Sequence, residues 1–361
     1  MKILILANYD VGLYQFRREL IEELLKSHAV SISLPYGELV EPLKAMGCQF
    51  IDTPLERRGM NPFKDGKLFL TYLKLFRQVK PDLVITYTIK PNVYGGFAAR
   101  IAGIPHAVNI TGLGTAFESS GILREMVTQM YKLGCKKAKV VFFENTENRQ
   151  IFLDEHIVRE QQTCLLNGAG VNLEHYRVTE YPTGDETKFL FIGRVMEEKG
   201  VDELFSAIRK LVAEGYSCSL DLVGMYEEDY KEAIVQGEAE GWLCFHGYQK
   251  DVRPFIANCH CFVLPSWHEG MANTNLECAA SGRPVITSNI HGCLEAVEDG
   301  VTGFLCEKQN VESLYQAMKG FCELSREEKQ NLGRRGRERM EMYFDKTLVV
   351  RNTIRALGLE H

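Results

Sequence analysis

The sequence predicts an α/β protein of two domains, each a parallel sheet with helices on both faces. Three observations carry this. The chain has 361 residues, more than one domain usually holds. Short apolar runs alternate with longer amphipathic stretches, as strand–helix–strand units require. The alternation lapses near Asn167-Gly-Ala-Gly-Val171 and restarts at Phe189.

In the first half the strands are read at Ile3–Leu6, Val30–Leu34, Gln49–Thr53, Leu83–Thr86, Ala107–Ile110, Val140–Phe143 and Thr163–Leu166. Tyr9 to Gly12 reads as a loop and Phe16 to Leu25 as a helix. The second half gives strands at Phe189–Ile192, Leu220–Val223, Leu243–Phe245, Cys261–Leu264 and Val285–Thr287, with Phe304–Leu305 as a short sixth. A helix follows through Leu204, Ile208 and Leu211, and a long charged one runs from Arg326 to Met340. Domain limits of 1–168 and 169–342 follow, with the glycines near 168 suited to a hinge.

Composition narrows the class. A net charge of −6 argues against a general nucleic-acid binder, whose footprint is basic. No run of eighteen apolar residues exists to span a bilayer. The first apolar run is too short for a signal-peptide core. Eleven scattered cysteines, an odd number without a C-x-x-C pair, read as reduced thiols of a cytoplasmic protein. Cys259-His-Cys261 lies at a strand start and reads as core. Leu359-Glu360-His361 reads as the stub of an expression tag.

Two loops hold the chemistry. Gly193-Arg194 to Lys199-Gly200 follows one strand, and Arg194 and Lys199 are suited to a diphosphate. Ser266 to Thr274 follows another. There Glu269 in the loop and Glu277 in the next helix can accept hydrogen bonds from vicinal hydroxyls. Backbone N–H groups at Gly270, Met271, Ala272, Asn273 and Thr274 can hold anionic oxygens. Open α/β sheets bind ligands at this carboxyl edge. Three loops of the first half are further ligand-binding candidates. Gly12 permits close backbone approach, while Tyr14 and Arg17 follow it; Arg17 reads equally as a diphosphate contact or a solvated helix start. Lys90 closes the Thr86–Asn92 loop, and Thr111-Gly112-Leu-Gly114 ends another strand.

Gly193-Arg194 with Lys199-Gly200, Glu269 and Glu277 eight apart, Asp221-Leu-Val-Gly224 and Phe245-His-Gly247 resemble the retaining glycosyltransferases of family 4. The first half, with Tyr14 to Arg17, Arg58 to Pro62 and Gly112 to Gly114, is similar to the bacterial subgroup that extends polyprenyl-diphosphate-linked sugars. The resemblance implies a GT-B fold, two Rossmann-like domains facing each other across a cleft, with a last helix near 343–358 returning to the first domain. It implies transfer of a hexose or N-acetylhexosamine from a nucleotide diphosphate sugar, UDP-linked by family frequency, to a glycan hydroxyl on a lipid-linked or soluble acceptor. Arg194, Lys199 and Glu269 then act in catalysis. Gly12, residues 270–274 and Glu277 join these three in donor binding, and Tyr14, Arg17, Lys90, Thr111 and Gly112 serve the acceptor. Where many members carry a His-x-His-like run, this chain has Tyr87 and Thr88, so no histidine role is carried over there.

No D-x-D run stands at a strand end, so a metal-independent reaction without a cofactor is expected. A basic amphipathic stretch from Arg57 to Lys80, with Arg57, Arg58, Lys64, Lys67 and Lys74, reads either as a packed helix or as a contact to an anionic inner membrane face. Other classes remain as alternatives: an epimerase or phosphorylase, a non-catalytic nucleotide-sugar binder, and a dehydrogenase, which lacks the expected G-x-G-x-x-G after the first strand.

Overall fold

The structure is a computed structural model; it describes residues 1–56, 59, 61–113, 117 and 121–360, the side chain of Ile122 excepted. The chain forms two compact units, Met1–Ala169 with the residues from Thr347 onward, and Gly170–Lys346.

The first unit runs β1 (Lys2–Leu6), α1 (Asp10–Leu25), β2 (Ala29–Leu34), α2 (Val40–Ala45), β3 (Gln49–Asp52), α3 (Pro62–Val79), β4 (Leu83–Tyr87), α4 (Gly96–Ala102), β5 (His106–Ile110), α5 (Ile122–Cys135), β6 (Val140–Phe143), α6 (Thr146–Asp154) and β7 (Thr163–Leu165). The strands lie in the order β3-β2-β1-β4-β5-β6-β7, all parallel. Ile3 to Leu6 are wholly buried because helices cover both faces of a central strand, which is why β1 is continuously apolar. Asn61 starts α3 by accepting from the N–H groups of Phe63 and Lys64, and Pro62 occupies the position where a missing N–H costs nothing.

The second unit runs β8 (Thr187–Ile192), α7 (Val201–Ala213), β9 (Cys218–Val223), α8 (Lys231–Ala239), β10 (Leu243–Gly247), α9 (Arg253–Asn258), β11 (Cys261–Leu264), α10 (Asn273–Ala280), β12 (Val285–Ser288), β13 (Gly303–Cys306), α11 (Val311–Glu323) and α12 (Arg326–Arg339). Its parallel sheet is ordered β10-β9-β8-β11-β12-β13. Phe189, Phe191 and Phe262 of the central strands pack with Leu204, Ile208 and Phe321 of the helices. Each such side chain contributes about 1.5–3 kcal/mol on burial. Arg283, just beyond the Gly282 helix stop, is 1% exposed. Its guanidinium is satisfied by the carbonyls of Ile256, Ala257, Thr179 and Glu180 and by the Thr179 hydroxyl.

After a π-helical turn at Met340–Phe344, α13 (Lys346–Leu357) belongs largely to the first unit. Val349, Leu357 and Leu359 join its core beside Ile3 and Val140. The Lys139 ammonium donates to the Leu357 carbonyl at 2.6 Å, a favourable place for a cation at a helix C-terminus.

One local expectation is corrected. Helix α1 starts at Asp10, so Gly12 lies in its first turn and not in a loop. Apolar Leu13, one residue after Gly12, is 1% exposed and belongs to the core, which draws the helix start forward. Asp221 meets Cys244 and His246 of the neighbouring strand. Met60, Arg57, Arg58, Gly114 and His361 lie outside the described residues.

Candidate functional site

In both sheets the winding reverses beside the first strand, between β1 and β4 and between β8 and β11. Crossovers leave in opposite directions there, so the loops at the carboxyl ends part and open a crevice. In the second unit those loops are 193–200 after β8 and 265–272 after β11.

Close backbone contact locks the two loops together. The Trp267 N–H donates to the Glu198 carbonyl at 2.9 Å. Gly200 has φ 73°, and a Cβ there would stand 2.2 Å from the Pro265 carbonyl oxygen. Gly292, at φ 93°, would place a Cβ 2.5 Å from the Glu269 carbonyl oxygen. Only glycine meets both demands, the left-handed backbone and the missing side chain.

This packing brings Lys199 and Glu269 into an ion pair, their side chains 16% and 15% exposed. The same Glu269 oxygen accepts from the Ser266 hydroxyl at 2.8 Å. Trp267 Nε1–H donates to Glu203 Oε1 at 3.1 Å, which fixes the loop against α7. Arg194 stands apart from this pair. Its side chain is 47% exposed, and its only ion pair among the described residues is a loose one, 3.8 Å to Glu227.

Helix α10 begins after this loop. The structure removes one predicted donor: the Ala272 N–H is taken by the Gly292 carbonyl at 2.7 Å, because Ala272 is pulled into the core. Among the described residues, the N–H groups of Met271, Asn273 and Thr274 have no acceptor. Asn273 Oδ1 is also buried without a partner. Unmet polar groups at a helix N-terminus form a site for an anion or a hydroxyl-rich ligand.

Glu277 lies one turn into α10, only partly open at its surface and closely surrounded by protein. Burial pushes its carboxyl up to about 7, against the opposing pull of a Tyr176 hydrogen bond and the Lys346 charge. Ser266, Trp267 and Tyr176 were not singled out from sequence. Trp267 offered the one local signal, a bulky aromatic in a strand-end loop.

In the first unit, two predicted acceptor cations are already committed. Arg17 is buried and donates to Glu144 Oε1 at 2.5 Å, with its guanidinium 5.1 Å from the Tyr87 ring centre. Lys90 is buried against Asp65 at 2.9 Å; Asp65 also holds the Asn61 N–H at the start of α3. Desolvated charges need partners, so both cations serve first to tie elements together. Tyr14 and Thr111 are half-buried, and Gly112 has φ 145°. Thr88 takes φ 72° at the end of β4, above a buried chain of Thr86, Asn92 and Asn109 hydrogen bonds. Strain of this kind in a non-glycine residue is held in place by its surroundings and concentrates at functional loops.

A GT-B glycosyltransferase is the class that this pair of sheets and this loop chemistry define. Residues 186–323 match the family described as glycosyl transferases group 1, and residues 2–145 match glycosyl transferase 4-like. The two matches fall one in each unit, and the chain is a glycosyltransferase. It is 26% identical over 332 residues to the N,N'-diacetylbacillosaminyl-diphospho-undecaprenol alpha-1,3-N-acetylgalactosaminyltransferase of Campylobacter jejuni, covering 87% of each chain. It is 27% identical over 281 residues to the UDP-Gal:alpha-D-GlcNAc-diphosphoundecaprenol alpha-1,3-galactosyltransferase of Escherichia coli, covering 72% of this chain and 71% of the other. Among solved structures, Anabaena Alr3699/HepE in complex with UDP and glucose matches with a TM-score of 0.82 at 17% identity, covering 99% of each chain. A glycosyltransferase from Rickettsia africae matches at 0.81 and 19%, again over 99% of each.

Proposed function

We propose that the chain transfers a hexose or N-acetylhexosamine, with retention, from a UDP-sugar to a hydroxyl of a polyprenyl-diphosphate-linked glycan. The observation that carries this reading is the Lys199–Glu269 pair set beside unmet N–H groups at the β8/β11 switch point. The bacterial relatives named for undecaprenyl-diphosphate-linked acceptors support the lipid-linked choice. The UDP complex of a similar fold supports the donor.

In this reading a bound diphosphate draws Lys199 toward itself and meets the exposed Arg194 fork and the N–H groups of Met271, Asn273 and Thr274. These groups stabilise the charge that develops as the sugar–phosphate bond breaks. Glu269, released in part from Lys199, accepts hydroxyls of the donor sugar and steadies positive charge at its anomeric carbon. Glu277 holds the ribose. Retention without an enzymatic nucleophile has the acceptor oxygen attack on the face the phosphate leaves, its proton passing to the departing phosphate oxygen. Two protein cations beside a helix N-terminus suffice for the leaving group, so turnover in EDTA should equal turnover in Mg²⁺.

The acceptor places the enzyme at the cytoplasmic face of a membrane. Among the described residues no helix is long and apolar enough to cross one. Helix α3 offers a surface contact: Phe63 and Leu70 are 90% and 63% exposed, beside exposed Lys67 and Lys74. Such binding should weaken as salt rises.

The test is a panel of nucleotide sugars, each incubated with and without a polyprenyl-diphosphate-linked sugar. Release of UDP only with the lipid acceptor, and a product with the donor's anomeric configuration by NMR, is the expected result. Equal turnover on a soluble sugar, or an inverted product, overturns it.

A further inference from the structure

We propose a second binding site, for a zinc ion, formed by Asp221 of β9 with Cys244 and His246 of β10 at the edge of the second sheet. Cys244 lies directly opposite Asp221 in the β9–β10 ladder. Cys244 and His246 are two residues apart on one strand, so their side chains share a face. The ladder shifts register between Phe245 and Gly247. The extra residue at that bulge is His246, and the shift sets its ring back over Asp221. Bulges re-aim side chains in this way, often beside sites. As a result one carboxylate oxygen, one sulfur and one ring nitrogen lie within 4.8 Å of one another.

The donor set and its spacing suit zinc. Zinc takes sulfur at about 2.3 Å and nitrogen or oxygen at about 2.0–2.2 Å. Tetrahedral ligands of that reach stand roughly 3.3–3.8 Å apart. His246 Nε2 and Asp221 Oδ1 are now hydrogen-bonded at 2.6 Å and need to open by only about 1 Å. Thiolate with imidazole favours zinc over magnesium or calcium. Cys244 is the one exposed cysteine of the chain. Asp221 and His246 are each 25% exposed and open on a cavity of about 750 Å³ shared with Asn258 and His260. A metal can therefore enter, and a water can take the fourth position. Cys259-His-Cys261, by contrast, is closed to metal. Its sulfurs bond the Ile256 and Phe262 carbonyls, and His260 Nδ1 accepts the Lys188 N–H.

Binding releases one proton. The Cys244 thiol becomes a thiolate, and the imidazole stays neutral as its Nε2 proton moves to Nδ1. Because the sulfur must be deprotonated to bind, the ion should bind more weakly as pH falls. The metal ties the edge strand β10 to β9 and lies off the β8/β11 switch point, so this site does not depend on the glycosyl-transfer reading.

The test uses the full chain without a histidine tag, stripped with chelator and titrated with Co²⁺ and then Zn²⁺. One equivalent of Co²⁺ should produce a sulfur-to-cobalt charge-transfer band that Zn²⁺ bleaches, and Zn²⁺ should raise Tm. Cys244→Ser should abolish the band with far-ultraviolet circular dichroism unchanged. His246→Gln and Asp221→Asn should each weaken zinc binding by about tenfold or more, at least the loss seen when an outer partner of a metal ligand is removed. Cys164→Ser, in the other unit, should change nothing. Failure of the wild-type chain to bind one equivalent, or a band that persists in Cys244→Ser, overturns the proposal.

Discussion

Replacing Glu277 by Gln separates the ionised carboxylate from its shape. Burial holds the Glu277 carboxyl at about 7 instead of 4.5 in the ligand-free protein, and neither the Tyr176 hydrogen bond nor the Lys346 charge cancels it. The native state therefore binds this proton more tightly than the unfolded chain does. The stability that protonation adds is complete below pH 4.5 and is lost as pH rises through 7. The gap between the two values corresponds to about 3 kcal/mol. A ribose held through two hydroxyls needs the acceptor-only carboxylate. From pH 8 to pH 6 the ionised fraction falls about tenfold, so UDP affinity should fall by about that factor. UDP itself titrates in this range, so the quantity to measure is the difference between wild type and Glu277→Gln. Isothermal calorimetry at pH 6, 7 and 8 gives it, and urea unfolding at the same pH values gives the stability counterpart. A wild-type-minus-variant difference that stays flat across this range in both measurements refutes the reasoning.

Arg194→Ala and Lys199→Ala should each lower kcat by about 10²-fold or more, the usual loss of one preorganised charge stabiliser; Arg194→Ala should leave Tm almost unchanged, since its side chain is 47% exposed. Initial rates within a few-fold of wild type for both would end the diphosphate assignment. Arg17→Met strands Glu144 in a buried site and should cost about 3–5 kcal/mol in urea unfolding. The double change Arg17→Met with Glu144→Leu should recover most of that, whereas a cation held mainly for an acceptor would show a small stability loss and a raised acceptor KM. Gly200→Ala forces a Cβ into the Pro265 carbonyl and should depress turnover more than UDP binding, by shifting Lys199 relative to Glu269; unchanged kinetics would mean that the loop gives way without consequence.

The strands were legible because parallel sheets buried on both faces demand continuous apolar runs. Ile3–Leu6, Phe189–Ile192 and Cys261–Leu264 show this directly, and each predicted strand core lies within or beside an observed strand. Arg194, Lys199 and Glu269 stand out in the sequence because each is a charge beside a glycine in a strand-end loop, and Glu277 because it follows one turn into the next helix. By itself the sequence determined the two-sheet class and singled out the two loops proposed to bind the donor. Tertiary structure alone decided which polar groups remain available. A hydrogen bond or ion pair is settled by what packs opposite, often far along the chain. Ala272 loses its N–H to Gly292, Arg17 is taken by Glu144 across 127 positions, and Lys199 meets Glu269 across 70. The start of α1 shifted for a related reason, since burial of Leu13 outweighs the loop preference of Tyr9 to Gly12. Asp221 gained Cys244 and His246 only when a bulge set the register of β10. Sequence periodicity fixes which face a side chain takes, but the partner on that face is a property of packing.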